Sequence, residues 1–456
     1  MKPFSAIISH LTGFGGGHTR TKRAKKHITA SFISRGLIIL LGLILVPLSI
    51  SYLGNVRYGI WVTLSSIIVW FSFFDIGLDN GLRNKFAQAL AKGQTELART
   101  YVSTTYATLA IIITAVLLFF FLANPFINWN NILNADDSTV SAQELSMLAL
   151  VVFIFFSLRF IFKLVATIVI ADQRPAVASL FDLAGKLGVV LCVFILTRTT
   201  DGQLLYLGIA FSSIPVMVLL LASLILFRGR YKAFRPSFKY IDFSTAPALL
   251  SMGVKFFIIQ ITAILLYQTN NIIIAHIMGP AYVTPYHVAF KYFSVLLMAF
   301  TIIVAPFWSA FTEAWMKKEV IWIRKIMQKL IFIWIGLIVV AFTMWIFSAH
   351  IYAIWVGKEV VIPYKLSALV AVWVMLNAWS SIYSTFLNGV SKLRLQLTLG
   401  VIAAVINVPL AIFLGMKYGI YGILYANILV KLPGFFLLPL QSFKLINQKA
   451  HGFWNK

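Results

Sequence analysis

The chain has 456 residues, of which 60% are hydrophobic and 11% charged, and its formal net charge is +25. This composition lies far outside the range of soluble domains and predicts an all-α protein that crosses a membrane many times. Most of the lysines and arginines lie in short segments between apolar runs, which argues against nucleic acid as a partner. The single cysteine, Cys192, excludes an internal disulfide and a thiolate metal cluster.

The chain opens with a basic segment, residues 1–30, whose charges predict a cytoplasmic tail. A spanning helix needs about 20 apolar residues, and runs of that length predict about twelve transmembrane helices. They form two lobes of six, residues 31–227 and 248–440, joined by a basic connector at 228–247 and followed by a cytoplasmic tail at 441–456. The predicted spans lie near 31–53, 58–78, 101–123, 145–170, 177–197, 204–227, 248–277, 284–305, 327–347, 366–388, 395–415 and 419–440.

The two lobes show signs of an internal repeat with an offset of 225 residues. The helix breaker Gly81 falls opposite Pro306, and in each lobe a hydrophobic exit is followed by a breaker and a basic stretch. Residues identical to their partner 225 positions later are Phe32, Ile33, Ile39, Leu40, Leu41, Gly54, Phe86, Ala89, Lys92 and Arg99. The equal placement predicts that 32–99 superposes on 257–324.

The orientation follows from the lysines and arginines of alternate loops. With the N terminus inside, the inner tails and loops hold 26 of them and the outer loops hold five. Positive residues favour the cytoplasmic side, so both termini are predicted to be cytoplasmic. Because each lobe has an even number of spans, the two lobes are predicted to be parallel, related by an axis along the membrane normal.

Seven cations lie within predicted spans, where a charge at the helix centre costs roughly 2.5 to 3.5 kcal/mol. Three of them, Arg35, Lys163 and Lys255, lie near the inner face, where snorkelling explains them best and a place in the site is secondary. The deeper four are predicted to bind substrate in a cationic cavity, and the alternative for them is a buried ion pair that fixes helix packing. These four are Arg159, Lys186, Lys291 and Lys431.

Acidic residues are scarcer in the spans, which suggests that the cavity handles something negative. Asp75, Gly77 and Asp182 are predicted to act in gating or coupling, although Asp182 and Lys186, four residues apart, could instead form a structural salt bridge. Amides and aromatic rings along the spans suit sugars, yet tryptophan and tyrosine are also common at membrane interfaces. This set is Gln260, Gln268, Asn270, Asn271, His276, Tyr286, His287, Trp373, Asn377, Trp379 and Asn388.

No motif of enzyme chemistry stands out. The sequence has no HExxH, no GxSxG, no GxxxxGK[ST] and no acidic pair suited to a divalent metal. We therefore predict a protein that is not an enzyme, without catalytic residues, metal ligands or cofactors.

The run YLGNVRYGIW, residues 52–61, followed by FDIGLDNGLRNKFAQALAKG, resembles the first two helices of bacterial polysaccharide-exporting flippases, the O-antigen or Wzx-type group. That group shares a superfamily with the multidrug and toxin extruders. The resemblance rests on Gly54 and the Tyr58–Gly59 pair at the first outer turn, and on an Asp-x-Gly-Leu element at Asp75.

This resemblance implies a MATE-like bundle of six plus six helices around a central cavity in the bacterial inner membrane. It also implies alternating access to a polyprenyl-diphosphate-linked oligosaccharide, such as an O-antigen or exopolysaccharide repeat unit, with membrane lipids and polysaccharide polymerase or assembly proteins as partners. Related lipid II flippases look longer by two helices, which counts against a peptidoglycan precursor. The alternatives are an ion-coupled multidrug extruder, which would need deep acids, and a membrane-embedded glycan polymerase or glycosyltransferase, which would need a substantial outer loop.

Overall fold

The computed structural model describes residues 19–70, 78–172, 174–247, 268–305 and 307–455, and its regular structure in these ranges is entirely helical. The described α-helices, numbered here in chain order, are α1 (Thr19–Trp70), α2 (Leu78–Ala91), α3 (Thr95–Ala123), α4 (Trp129–Leu133), α5 (Ala142–Ala171), α6 (Pro175–Thr199), α7 (Leu204–Arg228), α8 (Thr269–Met278), α9 (Val283–Val304), α10 (Phe307–Met316), α11 (Val320–Ile346), α12 (Ser348–Trp355), α13 (Tyr364–Gly389), α14 (Arg394–Tyr418) and α15 (Ile420–Ile446).

Ten helical segments of the described chain are long and apolar enough to cross a membrane. The predicted all-α, polytopic fold is therefore confirmed. The count of about twelve spans, the division into lobes and the superposition of 32–99 on 257–324 stay predictions, because 71–77 and 248–267 lie outside the described residues.

Helix α1 reverses direction at Gly54, which has a positive φ of 74°. A straight segment from Ile33 to Val69 would measure about 55 Å at 1.5 Å per residue, nearly twice the roughly 30 Å of a bilayer core. Residues on both sides of Gly54, from Gly42 to Val69, line one cavity, so the two arms run side by side. Gly279, which is 225 positions later, also has a positive φ, of 96°, and connects α8 to the segment before α9. Glycine adopts this backbone conformation without steric cost.

The N-terminal arm of α1 contains Pro47, which has no N–H to donate to the carbonyl of Leu43. The indole Nε1 of Trp355, on α12, donates to that carbonyl oxygen at 3.0 Å. The same arrangement recurs in the second half of the chain, where Trp379 Nε1 donates at 3.0 Å to Phe435 O, four residues before Pro439. In the first case the bond joins helices that are 312 residues apart in sequence.

We expect Trp355→Phe to destabilise the protein by about 1–3 kcal/mol, because it leaves the Leu43 carbonyl without a donor in an apolar setting. In a Pro47→Ala background the helix supplies its own N–H, so the same substitution should cost much less. Thermal unfolding in detergent of the four members of this double-mutant cycle measures the difference. Equal losses in both backgrounds would contradict the assignment of the indole to this carbonyl.

The helix ends define two sides of the bundle. The distal side carries the turns at Gly54, Gly279 and Gly419, and the basic side carries the first residues of α1 and the connector at 229–247. The connector packs against α3, where Thr104 Oγ1 accepts from Asp242 N at 2.9 Å and Ser103 Oγ accepts from Ser237 N at 3.2 Å. Arg99 also stacks on Tyr240.

The three largest clusters of buried apolar residues in the described part of the chain hold the bundle together. The largest includes residues near the distal turns of both halves, among them Tyr52, Val283 and Ile420. The other two belong to separate halves of the chain and include residues of the basic side, such as Tyr231 in one and Leu445 in the other. The first half, α1 to α7, is thus packed against the second half, α8 to α15, most extensively toward the distal side.

Candidate functional site

A cavity of about 540 Å³ lies between the two halves of the bundle. Both arms of α1 and helices α5, α6, α7, α8 and α9 supply its walls. Its volume falls within the roughly 300–1,000 Å³ of ordinary ligand pockets. The site can therefore hold one drug-sized portion of a ligand.

Three of the four deep cations, Arg159, Lys186 and Lys291, line this cavity from α5, α6 and α9. Lys186 is close enough to both of the others for a direct electrostatic interaction. It also packs over α1, since a Cβ placed on Gly42 would lie 3.0 Å from Lys186 Nζ. Glycine at position 42 therefore leaves room for this ammonium group.

No aspartate or glutamate is among the described residues that line the cavity. Asp182 lies one helical turn before Lys186 and attracts it electrostatically. Its side chain is exposed, however, and within the described chain no salt bridge joins the two side chains. Three positive charges thus share one cavity without a lining carboxylate, and a low-dielectric wall concentrates their field. The arrangement favours a ligand with more than one negative charge.

The distal end of the cavity is closed by contacts between the halves. Tyr58 Oη and His287 Nδ1, which both line the cavity, are 2.9 Å apart. Thr284 Oγ1 donates at 2.7 Å to the carbonyl of Asn55. Beside these bonds α1 passes so close to the other half that a Cβ on Gly59 would lie 1.9 Å from the oxygen of Pro280.

The described residues among the other predicted site residues do not line this cavity. Lys431 and Arg35 are not among the residues that line the cavity, so the structure does not place Lys431 with the other three deep cations. Lys163 forms a salt bridge of 2.8 Å with Asp79. Asp75, Gly77 and Lys255 lie outside the described residues.

Asp79 was not singled out from the sequence. It lies in the first turn of α2, and its carboxylate also accepts a hydrogen bond from Thr167 on α5. Lys163 and Thr167 are four residues apart and so share one helical face. The pairing shows that Lys163 has a local partner at the basic side, which fits the interpretation that it is not a deep charge.

The sequence also does not predict Tyr58 and His287 as site residues, although Tyr58 belongs to the Tyr–Gly pair of the first outer turn and His287 to the polar set of the spans. His287 is one helical turn before Lys291, and this spacing places both on the same face of α9. Nothing in the sequence predicts its contact with Tyr58, 229 residues away. Gln268, Asn271 and Tyr286 of the predicted polar set line the cavity as well.

Comparisons with known proteins agree with this geometry. A "Putative O-antigen transporter" of Salmonella typhi is 24% identical over 92% of this chain and 97% of its own length. Among solved structures, an inward-facing MATE transporter of the MOP superfamily superposes with a TM-score of 0.74 at 14% identity, covering 97% of this chain and 99% of that one. The lipid II flippase MurJ in an inward closed conformation gives 0.73 at 14% identity, covering 92% and 87%.

These likenesses establish a MATE-like fold, as the resemblance of the first two helices implied. The model of the polysaccharide biosynthesis protein family matches residues 24–311, more than half of the chain and the part that carries the cavity-lining residues up to Met298. The chain is therefore a membrane-spanning member of the polysaccharide biosynthesis protein family.

Proposed function

We propose that this protein is a flippase that moves a polyprenyl-diphosphate-linked oligosaccharide across the bacterial inner membrane by alternating access. The observation that carries the proposal is the cavity between the two halves, which Arg159, Lys186 and Lys291 line without a carboxylate. A diphosphate supplies matching negative charge, and cations spread over three helices attract it without a tight clamp that would prevent release. The relative named as an O-antigen transporter supports the same substrate class.

The distal contacts support a conformation that is closed on the outer side. We place the distal side outside the cell and the basic side, with both termini and the connector, in the cytoplasm. This orientation accords with the excess of positive charge on the basic side. The substrate would enter from the cytoplasmic side, and opening of the contacts at Tyr58, Thr284 and Gly59 would release it outside.

The charge of the cavity argues against export of cationic drugs, which would be repelled by three cations and would require acids that the described lining lacks. A second feature, the longest distal connection between spans, argues for transport rather than for glycan synthesis. The longest distal connection between spans is folded on itself, with Asn130 Nδ2 donating at 2.7 Å to Asp137, so this carboxylate has a structural partner.

A cell that lacks the protein should accumulate the lipid-linked oligosaccharide in the cytoplasmic leaflet and lose the corresponding surface polysaccharide. The measurement is radiolabelled precursor in membranes, assayed for access to an impermeant glycosidase in inside-out and right-side-out vesicles. Restoration by the wild-type gene is the control. A normal distribution of the precursor in the deletion strain, or accumulation of a soluble intermediate instead, would contradict the proposed function.

A further inference from the structure

The cavity contains neutral polar groups that the interaction with a diphosphate does not use. Ser49, on the N-terminal arm of α1, is only 1% exposed and lines the cavity, yet its hydroxyl has no hydrogen-bond partner among the described residues. Asn271, on α8, is 7% exposed, lines the same cavity and has an unpartnered side-chain oxygen. An unpaired polar group of this kind costs about 1–3 kcal/mol, so a ligand that bonds to either group would be stabilised.

The hydrogen bonds around Asn271 determine which atom of its amide is left without a partner. Ser66 Oγ donates to the carbonyl of Val62 at 2.9 Å, so the oxygen of Ser66 is left to accept. Asn271 Nδ2 donates to that oxygen at 2.8 Å. The amide is thereby oriented with Oδ1 as a free acceptor, which selects a ligand that presents an O–H or N–H group.

These groups lie nearer the distal end than two of the cations. Ser49 is five residues before the Gly54 turn, about 8 Å along the helix, and Asn271 is seven residues before the end of α8, about 10 Å. Arg159 and Lys186 are about 18 and 16 Å from the basic ends of α5 and α6. Ser49 and Asn271 thus lie on the distal side of Arg159 and Lys186. Lys291, eight residues or about 12 Å after the start of α9, lies at nearly the same depth as Asn271.

We propose that Ser49 and Asn271 form a sugar subsite, which binds hydroxyl or amide groups of the sugar next to the diphosphate. The inference rests on the proposed function, because Arg159 and Lys186 must hold the diphosphate for the sugar to reach Ser49 and Asn271. A pyranose offers both donors and acceptors, which suits one hydroxyl and one fixed acceptor. Trp61 and Phe290 also line the cavity and supply apolar surface for the faces of the ring.

The test compares two probes on the purified full-length protein in detergent: geranyl diphosphate, and geranyl diphosphate esterified at its terminal phosphate to glucose. We expect the glucosyl probe to bind wild-type protein about tenfold more tightly, which corresponds to about 1.4 kcal/mol. In a Ser49→Ala, Asn271→Leu double variant this ratio should fall to about one. Isothermal titration calorimetry measures both affinities.

Ser442→Ala is the matched control, because Ser442 is also 1% exposed but bonds to Leu438 O in α15, away from the cavity. It should retain the tenfold ratio. The Ser49→Ala single variant should show an unchanged or higher Tm, since it removes a buried hydroxyl without a partner, and it should still lower the ratio. A purely structural role for Ser49 would instead lower Tm and leave the ratio intact.

The outcomes separate the two proposals. If geranyl diphosphate binds with dependence on Lys186 and Lys291 but the glucose adds no affinity, or adds affinity that survives the double substitution, the sugar subsite is overturned and the proposed function stands. Ordered water would then satisfy Ser49 and Asn271. If neither probe binds the wild-type protein, the proposed function itself fails, and the subsite fails with it.

Discussion

Replacing Lys186 and Lys291 together by glutamine is expected to reduce export of the polysaccharide at least a hundredfold, with the protein still inserted in the membrane. Hydrogen bonds to charged groups contribute roughly 1.5–3 kcal/mol each, so loss of two cations that hold a diphosphate amounts to about 3–6 kcal/mol. Glutamine keeps much of the side-chain volume and can still donate hydrogen bonds. The expected loss of export is therefore caused mainly by removal of the two positive charges.

The matched control removes the same two charges at the distal surface, by Lys358→Gln and Lys417→Gln. Both side chains are exposed and neither lines the cavity. This pair should leave export within about twofold of wild type at equal protein abundance. Because the cavity variant relieves repulsion between half-buried cations, its Tm should rise or stay unchanged. Unimpaired export by the cavity variant would remove the main support for a cationic substrate site.

The second large effect is expected from Gly59→Ala. A Cβ at this position would lie 1.9 Å from the oxygen and 2.7 Å from the carbonyl carbon of Pro280, which are backbone atoms that cannot rotate away. The contact between the halves must therefore separate, and the population should shift toward a conformation open on the distal side. A shift of about 1.4 kcal/mol already changes the ratio of the two states tenfold.

Thiol labelling measures this shift, because Cys192 is the only cysteine and can be replaced by serine. A cysteine at Ser49, inside the cavity, should react with an impermeant maleimide from the distal side at least tenfold faster in the Gly59→Ala variant. Gly336→Ala is the control, since a Cβ there meets nothing within 4 Å. If labelling were equal in the two variants, Gly59 would not hold the distal side closed.

The sequence predicts the fold well because hydropathy and charge act on whole segments. Apolar runs of about 20 residues are long enough to cross a membrane. Gly54 lies within an apolar stretch that is too long for one span, so the helix must reverse there. The depth of Arg159, Lys186 and Lys291 also follows from counting residues along their helices. These predictions depend only on the number of residues along a segment, which can be counted in the sequence.

The position of a side chain around its helix is harder to predict. A helix with apolar residues on both its lipid and its protein faces has no strong periodic signal, so depth alone could not separate Lys431 from Lys186. Contacts between residues far apart in sequence are also hard to predict, because they depend on how the helices pack. Two such contacts join the halves: the hydrogen bond between Tyr58 and His287, and the close approach of Gly59 to Pro280. No local sequence pattern predicts either pairing.

The most direct test is translocation by the purified protein in liposomes. A polyprenyl-diphosphate-linked oligosaccharide is placed in one leaflet, and its arrival in the other is followed with an impermeant glycosidase. The account predicts translocation that depends on the wild-type protein, falls at least a hundredfold in the Lys186→Gln, Lys291→Gln variant, and is not inhibited by cationic drugs. Translocation equal to that of empty liposomes, or equal rates for wild type and variant, would contradict it.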